Sequence, residues 1–149
     1  MDLSFSIKAF DELTVHELYE LLRLRAEVFV VEQDCVYQDL DNKDQQSIHV
    51  LMYKENKLVG CSRLVPPGLS YKEISIGRVI TSEKVRGTGL GRELMKVSIQ
   101  ACHEKFGPKN IRLSAQVYAK AFYASLGFQE EGEPYDEDGI PHISMVYTT

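Results

Sequence analysis

The 149 residues hold no tryptophan, no Cys-x-x-Cys or His-x-x-x-His spacing and no apolar run near the roughly twenty residues a membrane-spanning helix needs. The three cysteines, Cys35, Cys61 and Cys102, are an odd set lying far apart. That argues against a disulfide framework and a structural zinc, and suits a reducing cytoplasm. There is no surplus of positive charge either: 17 Lys and Arg stand against 22 Asp and Glu, a net charge of -5. Nucleic acid is therefore a poor partner, because its binding rests on neutralised phosphates. Met1 to Phe10 shows no basic stretch leading into a long apolar one, so neither a secretory leader nor a membrane anchor is expected. Proline and glycine are scattered rather than gathered into a linker, no repeat is visible, and residues 1–149 read as one domain. At 44% hydrophobic residues, that domain can bury a core without metals or disulfides.

What is present alternates between strand and helix signals. Leu3 to Ile7 alternates apolar and polar as a half-buried strand does, with Asp11 or Thr14 as the N-cap of the following helix. From Val15 through Phe29, Leu18, Leu21, Leu22, Leu24 and Val28 recur at helical spacing, opposite Glu17, Glu20, Arg23 and Glu27. A polar, turn-rich stretch through Asp39, Asp41, Asn42 and Asp44 is long enough to suggest function. Ile48–Tyr53 and Lys57–Val65 read as strands around a Glu55-Asn56 hairpin turn, closed by Pro66-Pro67-Gly68. Glu73–Thr81 is another strand, Leu90, Leu94, Val97 and Ala101 share a helix face, and Ile111–Gln116 is a further strand. A short helix over Ala119–Leu126 stops at Gly127, and Phe128–Tyr147 reads as a hairpin. The order is mixed, with helices inserted into a largely sequential sheet.

Between strand and helix lies Arg86-Gly87-Thr88-Gly89-Leu90-Gly91-Arg92. Glycines let a backbone approach a phosphate with no Cβ in the way, and the positive end of the following helix adds to the attraction. The loop lacks the Lys-Ser/Thr of a nucleotide P-loop. It also fails the dinucleotide fingerprint, whose third glycine would fall at Arg92. The pattern that fits is R-x-x-G-x-G on Arg86, Gly89 and Gly91, with Arg86 and Arg92 as charged supplements to main-chain donors.

In these residues the chain resembles the GNAT superfamily of N-acetyltransferases, and more closely its ElaA-like branch. The resemblance is carried by Leu24–Gln33 with Tyr37–Asp41, by Ile76–Ile80 leading into the glycine loop, by Ala121–Phe128 and by Gly139–Ile143, and it spans essentially the whole chain. It implies an α/β (α+β) fold whose mixed central sheet is splayed at the CoA site and flanked by helices. It also implies acetyl-CoA as co-substrate, no metal, and transfer of the acetyl group to a primary amine on a small molecule or peptide. The pyrophosphate would sit on Arg86, Gly87, Thr88, Gly89, Leu90, Gly91 and Arg92, and the pantetheine arm would pair with freed backbone of Val79 and Thr81. A bulge there would set the Ile80 N–H to stabilise the thioester oxygen as it gains charge.

Tyr123 matches the tyrosine that family members place beside the CoA sulfur, and is the candidate general acid. The base falls to His142, with Glu73 or a water as alternatives. Ser114 and Gln116, on one face of their strand, are expected to bond pantetheine amides or the acceptor. No cysteine reads as a nucleophile. Arg25, Glu32, Gln33, Tyr37, Asp39 and Asp41 would form a polar, acidic rim favouring a cationic amine. A homodimer through the C-terminal hairpin is compatible with the sequence. Two competing readings are a catalytically silent acyl-CoA sensor, which the retained Tyr123 opposes, and acyl-homoserine lactone synthesis. The lack of tryptophan and the intact glycine loop count against the latter.

Overall fold

The computed structural model describes residues 2–149. Seven strands form one sheet: β1 (Leu3–Ala9), β2 (Ile48–Lys54), β3 (Lys57–Val65), β4 (Ile74–Thr81), β5 (Ile111–Gln116), β6 (Phe128–Glu137) and β7 (Ile140–Tyr147). Their spatial order is β1-β2-β3-β4-β5-β7-β6, sequential until the final hairpin folds β7 inward. All pairs are antiparallel except β4 and β5. The turn between β2 and β3 places Glu55 and Asn56 at φ of 52° and 66°, the left-handed pair that matches strand twist in a two-residue hairpin.

Among the described residues three α-helices join the strands: α1 (Val15–Arg25), α2 (Leu90–Phe106) and α3 (Lys120–Ala124). Of the two expected caps for α1, Thr14 is the one used. Its hydroxyl accepts from Glu17 N–H at 3.1 Å while the Glu17 carboxylate accepts from Thr14 N–H at 2.8 Å, a reciprocal capping box. Leu94, Met95 and Ala101 of α2 pack with Val50, Leu64, Ile74 and Ile76 in the main core, whereas Leu21 and Leu24 of α1 and the nearby Val28 cluster with Cys61 and Ile80.

The helix expected through Phe29 is not uniform. The α-helical part ends at Arg25, and Ala26–Glu32 winds as a π-helix. Val28 is the one residue of this stretch that is buried, and a single apolar anchor does not distinguish π from α spacing, so periodicity could not reveal it. The strand expected from Glu73 begins one residue later, and the short helix is confined to Lys120–Ala124.

β4 departs from regularity at one point. Its pairing with β3 runs Val65↔Ser75, Leu64↔Ile76 and Arg63↔Gly77, then resumes at Cys61↔Ile80 with one additional residue on β4. Arg78 takes φ of 51° there, which marks a bulge. The added residue exchanges the faces of the strand: Ile74 and Ile76 enter the main core, yet Ile80 enters the cluster beneath α1.

Candidate active site

The bulge coincides with the parting of the sheet. β4 and β5 pair only at Ile74↔Ile111 and Ser75↔Arg112, and beyond that point the two strands separate. The gap is the floor of a cleft of about 1030 Å³, lined by the π-helix, the loop after it, the open edge of β4, β5, Tyr123 and the tip of the β6–β7 hairpin.

Strand alternation decides which main-chain groups face that gap. Ser82 N–H donates to Val59 O at 2.7 Å, and a Cβ built on Gly60 would lie 3.0 Å from Ile80 O. Ile80 and Ser82 therefore turn their polar groups toward β3, and Val79 and Thr81 turn theirs toward the gap. Thr81 O confirms the sense by accepting from Arg86 Nε and Nη2 at 3.2 and 3.0 Å. The expectation that Ile80 N–H is the free donor is corrected on this ground: it belongs to the β3 side, and the open donors are those of Val79 and Thr81.

At the end of β4 the glycine loop leads into α2. Gly87 and Gly89 have φ of 79° and 83°, so their glycines are required by the backbone alone. Gly91 is different. It lies inside α2, and an added Cβ would meet Phe122 Cζ at 3.9 Å and Thr81 Cγ2 at 4.0 Å, ordinary contact distances. Nothing in the folded chain forbids a side chain there, although glycine in a helix costs up to about 1 kcal/mol relative to alanine. Arg86 lies back on the loop, ion-paired to Glu32 Oε1 at 2.7 Å. Arg92 is held by Ser125, through Oγ at 2.8 Å and the main-chain oxygen at 3.3 Å. Thr88 Oγ1 donates to Val85 O, tightening the turn.

The expected acid and base both line the cleft. The Tyr123 ring stacks edgewise on Phe122 (5.2 Å between centroids) and Phe128 (6.1 Å). Burial, with a smaller contribution from Tyr118, pushes its phenol up to about 12, so it remains a proton donor throughout the physiological range. His142 is buried on β7, with Nδ1 2.7 Å from Ile140 O and Nε2 3.3 Å from Glu137 Oε2, and its ring stacks on Tyr135. Both ring nitrogens thus face oxygen acceptors, Ile140 O on Nδ1 and the Glu137 carboxylate on Nε2, which couples the imidazole to Glu137. Glu73 is excluded as a base: Arg112 holds it through paired contacts of 3.1 and 3.0 Å, and these hydrogen bonds keep its carboxyl below the usual range. Ser114 Oγ hydrogen-bonds the Tyr135 hydroxyl, and Gln116 Nε2 donates to Gln33 Oε1 at 3.3 Å, linking β5 to the end of the π-helix.

The acidic rim is also corrected. Arg25, on the core face of α1, is 1% exposed. Its Nε reaches Asp39 at 3.0 Å and its Nη1 reaches Asp44 at 2.8 Å. Asp39 also accepts from Arg78 Nε at 2.7 Å, and Asp41 is gripped by both terminal nitrogens of Arg63 at 2.8 and 2.9 Å. These carboxylates are spent inside the protein rather than presented to an amine. Burial acts against ionisation at Asp41, but Arg63 and Arg78 overcome it and hold the carboxyl down at about 2. The same balance, with Arg25 and Arg63 as partners, lowers Asp44. Sequence reasoning missed Arg63 and Arg78 altogether, since their partners lie 19 to 39 residues away. Arg78 also lies over the rings of Phe29 and Tyr37, 5.9 Å from each centroid.

Cys61 and Cys102 are buried, with thiols raised to about 12 by loss of solvent, so neither supplies a nucleophile. Among the described residues, no group of three or more His, Cys, Asp or Glu is placed to hold a metal ion, and no helix is long and apolar enough to cross a membrane.

Known proteins share this arrangement. The acetyltransferase (GNAT) domain family matches residues 12–149. An acyl-CoA N-acyltransferase from Pseudomonas aeruginosa superposes with a TM-score of 0.93 at 40% identity, covering 99% of this chain and 100% of that one. Protein ElaA of Escherichia coli is 43% identical over 137 residues, 91% of this chain and 90% of that protein. Its crystal structure gives a TM-score of 0.91 over 97% and 99% of the two chains. A UPF0039 protein of Synechocystis is 40% identical over 99% of this chain and 96% of its own length. With a splayed mixed sheet, a bulged β4 and a glycine loop opening α2, the chain belongs to the GNAT acyltransferases, in their ElaA-like family.

Proposed function

We propose that the protein is an acetyl-CoA-dependent N-acetyltransferase that acts by direct attack of a primary amine on the thioester. The observation that carries this reading is the union of the open β4 edge with Gly91. The open N–H donors of Val79 and Thr81 lead straight to a helix N-terminus where a side chain is absent without any packing reason. Backbone donors in that position suit an amide-bearing arm ending in a pyrophosphate. Bound there, acetyl-CoA supplies an acyl group activated as a thioester.

The chain's own groups divide the remaining work. Val79 N–H, placed at the bulge and turned into the cleft, donates to the acyl oxygen as negative charge gathers on it. Tyr123 hydrogen-bonds the departing sulfur. His142 and Glu137, acting as a coupled pair, receive a proton from the incoming ammonium, so that the nitrogen attacks as a neutral amine. Ser114 and Gln116 line the route from β5, and the apolar walls from Val28 and Phe29 limit water near the thioester.

The test is turnover. Purified protein with acetyl-CoA and a panel of primary amines should release free thiol in proportion to acetylated product identified by mass. Binding of acetyl-CoA with no thiol release across the panel would favour a sensor over an enzyme. No binding by folded protein would end the acyltransferase reading.

A further inference from the structure

Three cations lining the cleft are matched by acids: Arg63 by Asp41 and Asp44, Arg78 by Asp39 and Asp41, and Arg86 by Glu32. Lys43 is not. It pairs with no carboxylate among the described residues, and its Nζ donates to Ser70 Oγ at 3.0 Å, joining the loop before β2 to the loop before β4. Together with buried Arg25, four cations at this end face three carboxylates, Asp39, Asp41 and Asp44. Arg63 adds a second sign of the same imbalance, since its buried Nε has no acceptor. On the hairpin tip the sign reverses. Glu137 faces His142, and the Asp138 side chain has no cationic partner among the described residues. The cleft thus carries one surplus positive charge on the loop side and unneutralised acid on the hairpin side.

We infer that the acceptor is an amino acid, whose carboxylate is received by Lys43 and Ser70 while its ammonium lies toward Glu137, Asp138 and His142. This rests on the transferase reading above and deepens it. A single surplus charge suits a monoanion, whereas a phosphate monoester would bring more charge than Lys43 neutralises. A simple diamine would place a cation beside Lys43 with nothing to offset it. In the reaction the amino nitrogen bonds to the acyl carbon as the carbon–sulfur bond breaks. Of the two protons the ammonium loses, one leaves through His142 to solvent and the other ends on the sulfur, which Tyr123 hydrogen-bonds as it departs. The products are an N-acyl amino acid, free thiol and one released proton.

Matched pairs separate the possibilities: lysine against cadaverine, phenylalanine against phenethylamine, methionine against 3-methylthiopropylamine, each with acetyl-CoA. For at least one pair, the amino acid should show kcat/KM at least about tenfold above its decarboxylated partner. Lys43→Gln should erase most of that preference, lowering kcat/KM for the amino acid and leaving the amine within about twofold. Lys43→Arg should retain the preference, and acetyl-CoA binding should not change in either variant. Equal turnover of every pair by the wild type, or equal loss for both members in Lys43→Gln, would overturn the inference while leaving the transferase intact. Bound acetyl-CoA with no turnover of any member would instead remove the transferase reading itself.

Discussion

Replacing Tyr123 by phenylalanine takes away one oxygen and little else. The ring contacts with Phe122 and Phe128 are made by carbon, so the fold should lose less than about 1 kcal/mol. The catalytic effect follows from the phenol's position at about 12. Against a thiol of ordinary value, about 8.5, complete proton transfer lies roughly 3.5 pH units, or about 5 kcal/mol, uphill. The hydroxyl therefore contributes chiefly as a hydrogen-bond donor to a sulfur gaining charge, not as a fully transferring acid at the moment of bond cleavage. Hydrogen bonds to charged groups contribute about 1.5 to 3 kcal/mol, so kcat should fall between about tenfold and a hundredfold. Because a phenol at about 12 is neutral at lower pH, the wild type should show no loss of rate assignable to Tyr123 below about pH 11. Steady-state thiol release, with acetyl-CoA affinity and thermal midpoint measured in parallel, checks all three points. A change in kcat of less than twofold, or a drop matched by weakened folding, would refute the assignment.

Other perturbations should behave as follows. Gly91→Ala should leave stability equal or higher by up to about 1 kcal/mol while weakening acetyl-CoA binding at least about tenfold, whereas Gly89→Ala should destabilise by about 1–2 kcal/mol because its φ is 83°. Arg25→Met should cost about 2–4 kcal/mol in urea unfolding, since it removes one of the two arginines that hold each of Asp39 and Asp44 in the interior. The folded-state value at Asp41 lies below the unfolded one, so its stabilisation is fully present well above about pH 4 and is lost as pH falls toward about 2, and Asp44, lowered in the same direction by Arg25 and Arg63, adds to the loss on the acid side. His49, lowered mainly by burial, adds to acid lability below about pH 6.5, and thermal midpoints recorded from pH 7 to 2 should decline in that window. In native protein, iodoacetamide should label Cys35 alone, because the thiols of Cys61 and Cys102 are buried and raised to about 12.

What could be read without coordinates was whatever local chemistry dictates. Glu55-Asn56 between alternating strands, Thr14 three residues before Glu17, and glycines at 87 and 89 all express backbone preferences written within a few residues. The splay of the sheet and the placement of Tyr123 came from family resemblance rather than from residue pattern. The rest depended on distant partners. Arg25 looks like any polar position on an amphipathic helix until Asp39 and Asp44 fold over it. Asp41 reads as a turn aspartate because Arg63 lies 22 residues on. The bulge at Arg78 leaves no composition signal, and it decides whether Val79 or Ile80 points into the cleft. Lys43 became informative only by elimination, once every other cation lining the cleft had found its acid.

Thermal unfolding with and without acetyl-CoA tests the central claim most directly. At a hundred times its Kd, a ligand confined to the folded state adds about 2.7 kcal/mol, which for a domain of this size raises the midpoint by roughly 5–10 °C. That rise is the predicted result, and in Gly91→Ala at the same acetyl-CoA concentration it should fall to about half or less. An unchanged midpoint in well-folded wild-type protein would mean that the open β4 edge and the glycine loop receive no acyl-CoA, and would contradict the account.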